Sequence, residues 1–401
     1  MKWLIKILSA VIAASISFSL SSCAGIYDKE IVSINDYVPT EQVKTESIGD
    51  RITVSDISEL RNAFISFVDA GAEEGSIVFS ESYSGDASDD IASAVWYART
   101  KDALCAYCVE NISYEINKIL SSTEARIHVT YSDNGVPLND IIKLEYAAGL
   151  ETILQKAIED GARKTAFLVN KSSFTDSAIE KMVSDLYKEN PIISPIEPTA
   201  SVVVFSGMNS RKLYEVSLSF KMFDDQRAER MSSLRVFSPF TQEHMLLDEH
   251  SKAELIFSYL QNNCLFNGES GGTIYDALIS GKSGSEGIAL AFVALSKMLD
   301  MNSLIVYGQY TGTDTCWNLI NIDGNWYHTD TARFLVDHEN EQNKEELLEP
   351  DMSGEDKKTE ETETPIESEE SVENSSPLFF CNDIEMWNNY RWDVSAYPAS
   401  Q

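Results

Sequence analysis

Hydrophobic positions along this chain follow two rhythms, and their succession repeats. Leu60, Phe64, Phe67 and Val68 fall at helical spacing and predict an amphipathic helix that ends at Asp69-Ala70-Gly71-Ala72. A strand over Ser76–Phe79 follows, then a helix over Asp90–Arg99 and strands over Ile112–Ile116 and Ala125–Tyr131. About 90 residues further on the succession returns. Leu150, Ile153, Leu154 and Ile158 predict a helix ending at Glu159-Asp160-Gly161-Ala162. Strand Thr165–Val169, helix Asp176–Tyr187 and strands Val202–Phe205 and Leu213–Phe220 complete the second unit. Units of this size predict two small α/β modules, each burying a sheet face under its helices, rather than a solenoid of shorter repeats.

The second half has a different pattern. Asp248–Asn263 predicts a helix with Leu255, Ile256, Tyr259 and Leu260 on one stripe and acidic residues at its start. After Glu286-Gly287, apolar residues from Ile288 to Leu299 occupy most faces of a helical register, so that helix should be buried. Strands are expected over Ser303–Tyr310, Cys316–Ile322 and Asn325–Thr329, with Asp323-Gly324 a strong hairpin turn. Asp337 to Glu373 carries sixteen Asp and Glu against three Lys and almost nothing apolar, which predicts a disordered, solvated loop. Leu378-Phe379-Phe380-Cys381 then resumes a strand, and Trp387, Tyr390, Trp392 and Tyr397 need something to pack on, so the acidic run is an insertion.

Composition narrows the class of partner. The chain has 401 residues, is 43% hydrophobic and carries a formal charge of −33. That suffices for two or three domains and makes nucleic acid and anionic surfaces poor partners for its body. Lys2 and Lys6 flank the start of the apolar run Trp3 to Leu20, a signal-peptide pattern. Its end, Leu20-Ser21-Ser22-Cys23, resembles a bacterial lipobox, which implies a lipid-bearing Cys23 and a membrane anchor through that lipid. No later apolar run is long enough to span a bilayer. Five further cysteines remain: Cys105, Cys108, Cys264, Cys316 and Cys381. Cys105 and Cys108 form a CxxC within what reads as an apolar strand, Ala103–Val109, and so predict buried filler or a structural bridge rather than a redox or metal site. His128, the only histidine of the first half, reads as a surface or hydrogen-bonded residue.

The strongest motif is spread over Gly281 to Phe334. Ser285-Glu286-Gly287 opens the buried helix, Trp317-Asn318 lies on a strand, and Asn325-Trp326-Tyr327-His328-Thr329-Asp330 lies on the next. This succession resembles the transglutaminase-like fold, a papain-type thiol scaffold. In that family a nucleophilic Cys precedes the Glu/Gln-Gly pair, a His stands two residues before Trp-Asn, and an Asp closes the last strand. Carried over, those positions hold Ser285, Thr315 and Asp330, of which only Asp330 keeps the family's residue type. The first half resembles the paired N-terminal modules of some Gram-positive lipoproteins with such domains.

A Ser hydroxyl needs a positioned base at all times, and Thr315 cannot be one. Losing nucleophile and base together should remove nearly all chemistry. Cys316, one residue past the His position, is expected to point away from Ser285 by strand alternation. His328 shares a face with Asp330 and is the candidate rescue base for a Ser285–His328–Asp330 relay; Ser283 is a second hydroxyl without a base. If catalysis is gone the cleft remains, and Tyr275, Tyr310, Trp317 and Trp326 could line it for an extended peptide or glycan.

The expected fold is therefore α+β: two repeated small α/β modules followed by a transglutaminase-like domain. The divisions are signal peptide 1–22, lipidated Cys23 and tether 23–56, modules 57–135 and 136–222, and domain 223–401 with an acidic insertion at 337–376. The expected function is a lipoprotein on the extracytoplasmic face of a Gram-positive membrane, with a degenerate domain that binds peptide or cell-wall polymer and needs no cofactor or metal. Its rivals are an active acyltransferase or hydrolase using Ser285, and a scaffold acting through the modules. Oligomeric state is left open.

Overall fold

The computed structural model describes residues 51–119, 122–208, 210–237, 240, 244–335 and 379–400. The leader, Cys23 and the acidic insertion lie outside the described residues. The first sheet starts earlier than the pattern predicts. Strand β1 (Arg51–Val54) sits in the stretch assigned to the tether, yet it pairs in parallel with β2 (Glu74–Phe79), the pairs running from Arg51–Ser76 to Val54–Phe79. Between them Asp56 accepts from the amides of Ser58 and Glu59 and so starts α1 (Ile57–Asp69), whose Leu60, Phe64, Phe67 and Val68 are buried. Helices α2 (Ala87–Lys101) and α3 (Ala103–Cys108) lead to the antiparallel strands β3 (Val109–Ile119) and β4 (Ser122–Tyr131).

Helix α3 corrects the reading of the CxxC segment as a strand. Asp102 accepts from the amides of Leu104 and Cys105, and this cap turns a short apolar run into a buried helix. Cys105 and Cys108 are buried, unbridged thiols there, and burial pushes the Cys108 thiol up to about 12.

The second sheet is built from β5 (Ile142–Tyr146), α4 (Leu150–Asp160), β6 (Lys164–Lys171), α5 (Asp176–Glu189), β7 (Thr199–Ser206) and β8 (Lys212–Ser219). Its order, β5-β6-β8-β7, and its single parallel pair, β5 with β6, match β1-β2-β4-β3 in the first sheet strand for strand. Gly161 adopts the left-handed conformation that ends α4. Helices of the first unit meet the second sheet: Ala166, Leu168 and Leu213 join the first core, Arg211 reaches both carboxylate oxygens of Asp69 at the end of α1 at 2.6 and 3.0 Å, and the Tyr107 hydroxyl of α3 donates to Glu215 at 2.5 Å.

Beyond β8 lie α6 (Asp224–Leu234), α7 (Glu249–Asn263), the short parallel pair β9 (Leu265–Phe266) and β10 (Lys282–Ser283), and the buried helix α8 (Ser285–Met298). A five-stranded antiparallel sheet follows, made of β11 (Ser303–Tyr310), β12 (Thr313–Ile322), β13 (Asn325–Thr329), β14 (Phe379–Cys381) and β15 (Tyr390–Trp392). Its order is β14-β13-β12-β11-β15, and α9 (Asp383–Met386) joins the last two strands in sequence. The sheet has a core on each face. Cys316, Ile320 and Ile322 pack with α7 and α8, while Trp317 and Leu319 pack with Met386 and Tyr390. The chain is thus mixed α+β with several sheets.

Candidate functional site

Ser285 opens α8 and is closed off by the segment Asn267–Thr273. The Ser285 amide donates to the Glu269 carbonyl at 3.0 Å and the Glu286 amide to that of Ser270 at 2.9 Å. The Ser285 hydroxyl donates to the Ser270 carbonyl and accepts from the Cys316 amide, both at 3.2 Å. Helix-start amides are the natural donors for an oxyanion, and here the chain's own carbonyls use them. Ser285 is only 1% exposed. Ser283, the other hydroxyl of interest, is buried between Gly272 and Gly287 with no hydrogen-bond partner among the described residues.

The two faces of the five-stranded sheet separate the remaining triad positions from Ser285. Asn318 donates to the Ala289 carbonyl of α8, so residue 318 and, by alternation, residue 316 face the helix. The expectation that Cys316 turns away from Ser285 is therefore corrected: its thiol lies on the α8 side, next to the Ser285 hydroxyl, with burial pushing it up to about 12. The Trp317 ring covers Gly308, the strand partner of Thr315, which places Thr315 on the far face. Asp330 is buried and satisfied by its own side of the sheet. The Tyr390 hydroxyl donates to one carboxylate oxygen at 2.8 Å and the Arg333 amide to the other at 2.9 Å. Burial raises its carboxyl to about 6, against the pull of those hydrogen bonds.

His328 is fully occupied. Its Nδ1 accepts from the Trp317 indole at 2.9 Å, and its Nε2 lies 2.8 Å from Asp383. An acceptor at Nδ1 requires the neutral ring with its proton on Nε2, and burial lowers the imidazole pKa in the same sense. The relay Ser285–His328–Asp330 is thus not assembled: none of the three hydrogen-bonds another. The aromatic cleft is also corrected. Trp317 is 1% exposed and belongs to a core cluster that Tyr310 and Trp326 pack against, while Tyr275 packs on the α8 core beneath Arg230. These four rings pack on cores rather than line a common groove; Tyr310, Trp317 and Trp326 do so because this sheet is covered on both faces.

Sequence reading missed the cavity on the other side of the α8 start. Glu286 lines it together with Glu180, Ser184 and Tyr187 of α5 and the segment Ile196–Ala200. The Glu286 carboxylate accepts from the Tyr307 hydroxyl at 3.1 Å, and burial raises its pKa. The signal that could have found it is the spacing of Glu180, Ser184 and Tyr187, a polar stripe along one face of α5. Among the described residues no group of three His, Cys, Asp or Glu side chains could hold a metal ion, and no helix is long and apolar enough to cross a membrane.

No protein-family model matches the chain, and no curated protein matches it. Solved structures overlap it in part. The crystal structure of a TGase is 9% identical over 52% of this chain and 62% of its own, with a TM-score of 0.25. A candidate cysteine protease from Cytophaga hutchinsonii is 12% identical over 33% of this chain and 62% of its own, at 0.22. A candidate protease from Parabacteroides distasonis is 8% identical over 64% of this chain and 39% of its own, at 0.21. The chain spans less than two thirds of the length of each. These are weak likenesses to transglutaminase-like and cysteine-protease-like proteins, and the family reading rests on the motif residues.

Proposed function

We propose that this chain is a membrane-anchored surface lipoprotein whose transglutaminase-like part has lost acyl transfer and serves as a binding module for peptide or cell-wall ligand. One observation carries the loss of chemistry: the Ser285 hydroxyl is buried, bonded to the Ser270 carbonyl and the Cys316 amide, and touches no imidazole among the described residues. A serine nucleophile needs a base within hydrogen-bond reach and donors free to meet an oxyanion, and this serine has neither. The lipobox-like Leu20–Cys23 supports the anchor. Binding moves from the aromatic residues, which are core, to the cavity beside Glu286.

The test offers the full-length chain a glutamine-bearing peptide and a labelled primary amine, and a peptide hydrolysis substrate in parallel. Wild type and Ser285→Ala should both stay at the blank. Turnover by wild type that Ser285→Ala abolishes would overturn the reading and make the chain an enzyme.

A further inference from the structure

A second cavity, of about 480 Å³, opens at one end of the second sheet. Lys171 ends β6, Ser206 ends β7 and Lys212 begins β8. These three strands are neighbours, and their register sets Val169 beside Lys212 and Lys212 beside Ser206. Val169, Val204 and Tyr214 face the core beneath α4 and α5, so alternation puts Lys171, Ser206 and Lys212 on that same face. Three cations and four serines line the cavity, and among the described residues no carboxylate does. Arg211 is already committed, to Asp69 and, at 3.4 Å, to Asp102. The two lysines are not. Lys212 donates to the Phe174 carbonyl at 3.4 Å and Lys171 lies 5.8 Å from the centre of the Tyr146 ring, and neither meets a carboxylate among the described residues. Ser173, Ser206 and Ser210 add exposed hydroxyls. In a chain with 64 acidic and 31 basic residues, a cavity with this lining stands out.

The first sheet shows that the frame does not require the lysine pair. Gly71 and Gly161, both at φ +67°, follow the first helix of each unit 90 residues apart. At that offset Glu81 stands where Lys171 does. Phe79 pairs with Thr123 as Val169 pairs with Lys212, and Thr123 pairs with Lys118 as Lys212 pairs with Ser206. The same strand ends thus carry one lysine and one glutamate in the first sheet and two lysines in the second.

We propose that this cavity binds a phosphate group, either as the free ion or esterified to a small organic molecule. The Lys171 and Lys212 ammonium groups meet its charge, and the serine hydroxyls donate to its oxygens. An anion there also relieves the repulsion between two lysines that have no counter-charge. The net charge of −33 opposes any anion from a distance, but screening at physiological salt confines that effect to about 8 Å, so the local lysines decide. The inference is independent of the binding-module reading above.

Calorimetric titration of the full-length chain with inorganic phosphate, glycerol 3-phosphate and glycerol tests it. The two phosphates should bind at one site and glycerol should not. Lys212→Met should weaken binding about tenfold and Lys171→Gln about threefold, with circular dichroism unchanged. Lys171 is exposed, so its variant remains informative if Lys212→Met fails to fold. Lys118→Gln, at the corresponding end of the first sheet, should leave binding as it is. Tighter binding of glycerol 3-phosphate assigns the ester, and equal or tighter binding of inorganic phosphate the free ion. No binding of either phosphate at millimolar concentration, binding that neither lysine variant in the cavity changes, or an equal loss in Lys118→Gln would overturn the proposal.

Discussion

Ser285 and Glu286 are adjacent on the first turn of α8 and live in opposite surroundings. On the Ser285 side, amide, hydroxyl and the neighbouring strand amide all have partners, and the segment Asn267–Thr273 shuts out solvent. On the Glu286 side a cavity is lined by three carboxylates, each with one oxygen bonded to the protein. A helix start whose donors are met by its own chain is a structural joint. A pocket whose polar atoms keep spare capacity is where a ligand's hydrogen bonds add most, since an unmade buried bond costs more than an average one contributes. Position in a family motif thus points to one side of this turn, and unmet chemistry to the other.

The largest expected effect comes from prising the joint open. A Cβ at residue 284 would run into the Gly271 carbonyl oxygen and come within 2.6 Å of that of Glu269, both backbone atoms that cannot swing away. Gly284→Ala should lower unfolding stability by about 3 kcal/mol, the upper range for overpacking. Gly271→Ala, whose Cβ would meet nothing within 4 Å, should stay within about 0.5 kcal/mol. Urea unfolding midpoints compare the two. Equal losses would mean that the segment, not the close approach, sets the effect.

The far face of the sheet should respond to pH in two opposed ways. Asp330 is raised to about 6 in the folded state, which therefore holds the proton more tightly than the unfolded chain. That stabilisation is complete below about pH 4 and is lost as pH rises past about 6, roughly 2–3 kcal/mol in all. His328 is lowered, so its contribution is present above about pH 6.5 and is lost as pH falls through its folded value. Asp330→Asn should remove the fall in stability between about pH 4 and 6, and His328→Gln should remove the acid-side loss. Unfolding midpoints across pH read both, and an unchanged profile in Asp330→Asn would show that this carboxyl is not the one that titrates.

A smaller effect is expected at the motif serine itself. Ser285→Ala deprives the Cys316 amide and the Ser270 carbonyl of one partner each, and should cost about 1–2 kcal/mol. Stability should fall in this variant while every activity readout stays at the blank. A catalytic serine would give the reverse: turnover lost, and stability held or improved.

The frame of this molecule is legible in its sequence, and its site is not. Helical stripes such as Leu150, Leu154 and Ile158, and the hairpin at Asp323-Gly324, have the expected form because they are long, periodic or marked by a turn. Strand β1 escapes because four residues, Arg-Ile-Thr-Val, carry almost no periodicity and owe their conformation to β2. The Ala103–Val109 run escapes because a short apolar stretch suits a buried helix as well as a strand, although Asp102 is the cap that should have decided it. Alternation along β12 does separate Cys316 from Trp317, but no local signal says which of the two faces receives α8. That choice is made by contacts distant in sequence, such as Asn318 to the Ala289 carbonyl. The cavity is harder still, because its walls come from α5, β7 and α8 and exist only once the second sheet meets the third.

The smallest effect separates the two sides of the turn most cleanly. The Tyr187 hydroxyl has no bond to lose, so Tyr187→Phe removes a buried polar atom and leaves the ring, one of the largest side chains in the core, in place. Its stability should stay level or rise by up to about 1 kcal/mol, where Ser285→Ala falls by a similar amount. Thermal unfolding of the two variants side by side tests the contrast. A loss in Tyr187→Phe as large as that in Ser285→Ala would mean that the phenol is already bonded in solution, and both sides of the turn would then be structural joints.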